Sequence, residues 1–294
     1  MKLATFTFEG VTRIGKILDD KVLDLTQVLP DLPKDMTSLL KLGEGALNQV
    51  RDARSGHPGQ LISLSSVRLE APVPNPQKYL GIGLNYEDHA EEARKAGIKI
   101  PEFQVWFSKM VSCINGPYGD IVLPKVSDRL DYEAELGVVI GKRCKNVSVE
   151  DAESVIAGYF VANDVTIRDW QHRTPQWTLG KSFDTHGPCG PWMVTKDEIA
   201  DPHALQMRLW VNGELRQSTL TGKMIYNVFE QIAHLSTAMT LEPGDMIATG
   251  TCSGVGIGHK PPKFLVAGDV VRIEIDGVGM IENKVVNESR TTLA

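Results

Sequence analysis

Short apolar runs that alternate with polar residues recur along most of this chain. Phe6 and Phe8 alternate with polar neighbours, and Arg13 to Leu18 and Lys21 to Leu25 repeat the pattern after turns at Glu9-Gly10 and Asp19-Asp20. This predicts a small β meander over residues 1–28. Residues 36–53 carry a helical period, with Leu39, Leu40, Leu42, Ala46 and Val50 on one face, and predict a single helix. Arg54-Ser-Gly-His-Pro-Gly59 ends it, and Leu61 to Leu69 reads as a strand. Ala71-Pro-Val-Pro-Asn-Pro76 follows; its prolines remove backbone donors and favour extended chain. We place a domain boundary there, between a small N-terminal domain (1–70) and a main domain (71–294).

The main domain is also built from short strands. Lys78 to Gly83, Val105 to Lys109, Ile121 to Leu123, Gly137 to Gly141 and Ala157 to Ala162 are apolar and short. Met207 to Val211 and Glu214 to Ser218 flank Asn212-Gly213, a strong hairpin signal. Met246 to Ala248, Gly268 to Gly277 and Met280 to Val286 are the late strands. Helices are predicted at Glu87 to Ala96, closed by Gly97, at Val149 to Ala157 and at Ile225 to Thr240. Gly97 to Phe103 reads as a mobile connection. Many strands and few helices give a β-dominated α+β fold, not a doubly wound sheet.

Composition narrows the class. The 294 residues are 42% hydrophobic and 23% charged, as in ordinary globular proteins. The net charge is −6 with scattered basic residues, which gives no footprint for nucleic acid and no polybasic membrane segment. No apolar run reaches membrane-spanning length, and the first ten residues alternate like a strand and lack a signal-peptide core. Cys113, Cys144, Cys189 and Cys252 lie far apart without a C-x-x-C pair, the pattern of reduced thiols in a cytoplasmic protein.

The chemistry concentrates between Asp131 and Gly190. In Asp131-Tyr-Glu-Ala-Glu-Leu136 the acids alternate with apolar residues, so on a strand Asp131, Glu133 and Glu135 share one face. Such acids repel one another unless a cation lies among them. Asp164 ends the next apolar run. Glu133, Glu135 and Asp164 make an all-oxygen set that suits Mg²⁺ or Mn²⁺ better than Zn²⁺. A strand with a polar outer face and a capping Asp164 fits the same spacing. Arg168 and Gln171 follow Asp164 at four and seven residues and would share a helical face with it; a plain ion pair, for instance Arg168 to Asp164, is the other reading. Lys181 stands in a Gly/Pro-bounded segment, either as an exposed loop lysine or as a holder of substrate charge. His89 and Glu92, three apart on a helix, are either a surface pair or a general base with its orienting carboxylate. Gly81 and Gly83 fail the dinucleotide fingerprint because Tyr86 takes the third glycine's place. The glycines of Gly250 to Gly258 would let backbone donors approach a small anion.

Five segments together resemble the fumarylacetoacetate hydrolase family: Gly83-Leu-Asn-Tyr-Glu-Asp-His89, Asp131-Tyr-Glu-Ala-Glu-Leu136, Asn163-Asp-Val-Thr-Ile-Arg-Asp-Trp-Gln171, Trp177-Thr-Leu-Gly-Lys-Ser-Phe-Asp-Thr185 and Gly250-Thr-x-Ser-Gly-Val-Gly256. The match runs from about residue 72 to 286. The resemblance implies a mixed β-roll main domain, a homodimer, and Mg²⁺ or Mn²⁺ on Glu133, Glu135 and Asp164. It implies a catalytic His89–Glu92 dyad on a lid helix and a catalytic Lys181. Asn85, Arg168, Gln171 and Thr251 match positions that bind substrate or support the metal. The implied activity is hydrolysis of a carbon–carbon bond in a small 2,4-diketo acid, giving pyruvate and a carboxylic acid. The alternatives are an oxaloacetate decarboxylase or a keto–enol isomerase on the same site, and a non-catalytic binding protein. Two departures stand out. Leu84 replaces the Arg or Lys of several members, and Cys252 replaces a common proline.

Overall fold

The structure is a computed structural model and describes residues 1–56, 60–95, 97 and 101–289. The expected break at Arg54 to Gly59, the connection at Gly97 to Phe103 and the end of the 71–294 domain therefore lie partly outside the described residues.

Two antiparallel strands form the spine, Ala134–Ile140 and Ile156–Asn163. Every residue in both is buried. Alternate side chains point to opposite faces of a strand, so each face enters its own core. Leu136, Val138, Ile140, Tyr159 and Val161 join one cluster with Leu209, Val211, Ile273 and Ile275. Val139, Phe160 and Ala162 join the other with Met36, Leu39, Leu40 and Val50. Gly137 lies against the Phe160 ring, where a Cβ would stand 2.4 Å from it.

The spine lies in a 12-stranded sheet. Its path runs Leu61–Ser63, Lys21–Asp24, Val11–Leu18, Lys2–Phe8, Gly187–Thr195, Ile156–Asn163, Ala134–Ile140, Met246–Ala248, Tyr79–Gly83, Val105–Lys109. The expected meander is present. The sheet also crosses residue 70, because Lys2 pairs with Val194 and Leu3 with Met193. A 5-stranded sheet of Glu214–Leu220, Gln206–Val211, Val270–Ile275, Gly279–Asn287 and Ile121–Leu123 closes the first core. Its hairpin turns through Asn212 and Gly213, both at positive φ, as that dipeptide predicts. The architecture is strand-dominated α+β.

Several boundaries differ from expectation. The single helix over 36–53 is two helices, Met36–Lys41 and Glu44–Asp52. Gly43, at φ 73°, breaks it, and Leu42 turns out to solvent while Leu39, Leu40 and Val50 stay buried. Leu61 to Leu69 is a strand, a 3₁₀ turn and a second short strand. Val149 to Ala157 holds a 3₁₀ turn at Ala152–Val155 and the start of the strand Ile156–Asn163 rather than a helix. The late helix is Val228–Ala238, started by a capping box of Asn227 and Glu230. No helix among the described residues is long and apolar enough to cross a membrane.

Candidate active site

The spine brings the acids together at one sheet edge. Ala134 pairs with Asn163 and Glu135 with Ala162, so one strand begins where its antiparallel neighbour finishes. The Asp164 amide donates to the Glu133 carbonyl at 3.0 Å, and the Glu133 amide donates to Asn163 Oδ1 at 3.0 Å. One carboxylate oxygen from each of Glu133, Glu135 and Asp164 lies within 4.8 Å of the others, and all three residues are buried.

Asp131 does not share this cluster, contrary to the strand-face expectation. The strand is interrupted at residues 132 and 133, and Leu130–Asp131 pairs instead with Thr166–Ile167. The Asp131 carboxylate accepts from the amides of Gly256 at 2.6 Å and Ile257 at 3.0 Å and from Arg168 Nε at 2.7 Å. It pins the glycine-rich loop, and Gly256 permits the approach because a Cβ there would stand 2.5 Å from Asp131 Oδ1. The Gly250 amide donates to Glu135 Oε2 at 2.8 Å. These loop donors thus serve carboxylates of the chain itself rather than a free anion.

Three buried cations brace the acids. Lys181 Nζ donates to Glu133 Oε2 at 2.7 Å and to Asp164 Oδ2 at 2.6 Å. Lys109 Nζ donates to Asp164 Oδ1 at 2.6 Å, to the His186 carbonyl at 3.0 Å and to the Lys181 carbonyl. Arg168 Nη1 lies 2.7 Å from Glu133 Oε1 and 3.1 Å from Gln171 Oε1. Lys181 is therefore a buried lysine and not an exposed one. Arg168 pairs with Asp131 and Glu133 rather than with Asp164. The helix carrying Arg168 and Gln171 is Arg168–Gln171 alone, since Thr166–Ile167 is strand. Nothing in the sequence marked Lys109 beyond its place at the end of an apolar strand.

The charges are unevenly met. Burial by itself would raise the Glu133 pKa, but Lys181 and Arg168 outweigh it and hold the carboxyl down at about 2. Glu135 goes the other way: burial, with Asp164 and Glu133 beside it, pushes its carboxyl well above the ordinary range. Its side chain has no cation partner among the described residues, only the Gly250 amide. A dication held by the three acids answers that uncompensated charge. Carboxylate oxygens carry spare lone pairs, and an all-oxygen donor set fits Mg²⁺ or Mn²⁺. The triad can hold a metal.

A cavity of about 740 Å³ opens beside this cluster. Glu133, Arg168, Gln171, Lys181, Thr251, His89, Glu92 and Leu84 line it. Of the triad only Glu133 reaches the cavity wall. Asn85 does not line it: its amide donates to the carbonyls of Tyr226 at 3.0 Å and Thr249 at 2.8 Å, so it ties two loops together. A separate cavity of about 780 Å³, beside Thr12, Lys34 and Arg68, shares no lining residue with the first.

One wall is the helix Glu87–Lys95. His89 Nδ1 lies 3.1 Å from Glu92 Oε2, so the pair is formed and faces the cavity. The helix is fastened to the glycine-rich loop. Asp88 accepts from Ser253 Oγ at 3.0 Å and from its amide at 3.3 Å. Glu92 packs over Gly258, where a Cβ would stand 2.0 Å from its Oε1. Asp88 and Ser253 were missed because a contact between residues 165 apart leaves no local pattern.

Fold and site define a strand-built enzyme scaffold with a buried acid cluster at the head of a cavity. The chain belongs to the fumarylacetoacetate hydrolase family: residues 78–286 match the model described as fumarylacetoacetate (FAA) hydrolase C-terminal. Among its relatives, the mitochondrial oxaloacetate tautomerase of Xenopus laevis is 46% identical over 278 residues, 93% of this chain and 86% of that one. The structure of maleylpyruvate hydrolase from Sphingobium sp. SYK-6, in complex with manganese(II) and pyruvate, is 35% identical with a TM-score of 0.81 over 98% of this chain and 100% of that one. The 2-hydroxyhepta-2,4-diene-1,7-dioate isomerase of Mycobacterium marinum is 32% identical with a TM-score of 0.77, over 99% and 100%. The family holds hydrolases, isomerases and tautomerases.

Proposed function

We propose that this chain is a metal-dependent keto–enol tautomerase of a small 2-oxo acid, with oxaloacetate as the first candidate. The observation that carries this is the His89–Glu92 pair in the same cavity wall system as Lys181, Arg168 and Glu133. The similarity to oxaloacetate tautomerases supports it.

Glu133, Glu135 and Asp164 would hold a Mg²⁺ or Mn²⁺ ion, which would supply Lewis acidity for a 2-oxo group. The remaining work falls to side chains. Arg168 Nη2 is buried without a hydrogen-bond partner, which leaves a charged donor for the substrate's C1 carboxylate. Gln171 and Thr251 flank it in the same cavity. Lys181, bonded to Glu133 and Asp164 in the cavity wall, places its ammonium donors where enolate charge develops. His89 is engaged at Nδ1 by Glu92, so the tautomer with a free Nε2 lone pair is favoured and that nitrogen is the base. In the enolising direction His89 takes a proton from C3 and the enolate oxygen takes one from water; in the ketonising direction that oxygen releases its proton to water and His89 returns one to C3.

Hydrolysis of a 2,4-diketo acid remains the second reading. It is favoured by the likeness to maleylpyruvate hydrolase, whose structure contains pyruvate. There His89 would activate water instead of moving the C3 proton. We also propose a homodimer, which light scattering would check.

The test is the ultraviolet decay of enol-oxaloacetate by metal-loaded protein, run beside pyruvate release from an acylpyruvate. Catalysed ketonisation, lost on chelation, supports the tautomerase. Pyruvate with a stoichiometric acid and no ketonisation transfers the function to the hydrolase. Replacing His89 by Ala should lower kcat by roughly 10²–10⁴-fold with metal binding intact. Loss of metal as well would remove His89 from the proton-transfer role.

A further inference from the structure

Leu84 lines the cavity and cannot pair with a carboxylate. The cavity has cations elsewhere. Among the described residues its lysines and arginines are Arg168, Lys181 and Lys260. Arg168 is paired with Asp131 and Glu133 and its remaining donor serves the C1 carboxylate, and Lys181 is paired with Glu133 and Asp164. Lys260 has no ion pair or hydrogen bond with any described residue, and it is exposed in the cavity rim. The helix Glu87–Lys95 contributes Asp88, Glu91 and Glu92 to the same cavity, so a second substrate carboxylate needs a cation to offset them. The cavity is also lined by His172, whose pKa is lowered by burial with Arg168 and Lys181 nearby, and by His259.

The loop that carries Lys260 is held in place. Asp131 grips the amides of Gly256 and Ile257, and the Lys263 amide donates to the Gly256 carbonyl at 2.9 Å. Glu92 packs over Gly258, two residues before Lys260. The lysine stem thus starts from a fixed point beside the dyad.

We infer that Lys260 receives the distal carboxylate of a dicarboxylic 2-oxo acid. This rests on the reading of the cavity as a 2-oxo acid site. It makes Lys260 a specificity-determining residue: it sorts dicarboxylic from monocarboxylic substrates and leaves the proton transfer to His89.

The experiment measures calorimetric Kd values for oxaloacetate and for pyruvate on magnesium-loaded wild type, Lys260→Ala and Lys260→Arg. Wild type should prefer the dicarboxylate by about tenfold, the scale of one charge-assisted contact. Lys260→Ala should lose that preference through weaker oxaloacetate binding alone, and Lys260→Arg should keep most of it. An unchanged preference in Lys260→Ala, equal weakening of both acids, or a wild type that binds the two equally overturns the assignment. Turnover is read separately. A wild type that prefers oxaloacetate but fails to interconvert its keto and enol forms retires the tautomerase and leaves the role of Lys260 standing.

Discussion

His186 shows how a single side chain outside the cavity answers to the site. It is fully buried, its Nε2 lies 2.8 Å from the Val122 carbonyl, and its own carbonyl accepts from Lys109. Burial, with Lys109 nearby, pushes its pKa down to about 4. A base whose folded pKa lies below its unfolded value of about 6.5 stays neutral when folded and takes a proton when unfolded. Its contribution is therefore whole above pH 6.5 and is lost as pH falls from there toward 4. Over that window the folded state should lose on the order of 3 kcal/mol to this group. Chemical denaturation at pH 7 and pH 4.5 checks this: His186→Gln should flatten the acid-side slope, and an identical slope would assign it to other groups.

At the scale of elements, the helix Glu87–Lys95 and the glycine-rich loop behave as two halves of one device. The helix brings His89 and Glu92. The loop holds Glu135, pins itself to Asp131 and accepts the helix through Ser253 and Gly258. Gly258→Ala tests this coupling. Its Cβ would displace the Glu92 carboxylate, the hydrogen-bond partner of the His89 ring among the described residues. Misplacing a catalytic group by an ångström costs up to about 10²-fold in rate. We expect kcat to fall by at least about tenfold with the melting midpoint nearly unchanged, since Glu92 is a flexible side chain at a partly exposed site. An equal loss of stability would mean that the contact is structural only. Cys252 sits in this loop where a proline is common; its thiol is buried beside Gln217, and nothing in the structure gives it a chemical task.

For the whole molecule, the acids sit at the seam between two cores, Glu135 on a strand buried on both faces and Glu133 and Asp164 just beyond the ends of two such strands. Charge there is tolerated only because Lys109, Lys181 and Arg168 meet it from three different segments. Glu135 remains the unmet one, so a bound dication should stabilise the entire fold. At a metal concentration a hundred times Kd, linkage gives about 2.7 kcal/mol. Thermal melts with Mn²⁺, Mg²⁺ and a chelator should separate accordingly, and Glu135→Gln should abolish the difference. A melting midpoint indifferent to metal in wild type would exclude the triad as a tight site.

The sequence by itself determined what depends on near neighbours. Alternation set most strands, Asn212-Gly213 set its hairpin, and the three-residue spacing of His89 and Glu92 set the dyad, because these follow from backbone geometry. The five segments carried the family. Residue chemistry also named Glu133, Glu135 and Asp164 as a cluster. The tertiary structure alone decided which charges meet. It separated Asp131 from the triad, buried Lys181 and Lys109 among the acids, turned Asn85 away from the cavity and fastened Asp88 to Ser253 across the fold. Those outcomes rest on contacts between segments tens to hundreds of residues apart. Such contacts are chosen by packing and by the cost of leaving a buried charge unpaired, and that cost leaves no periodic trace along the chain.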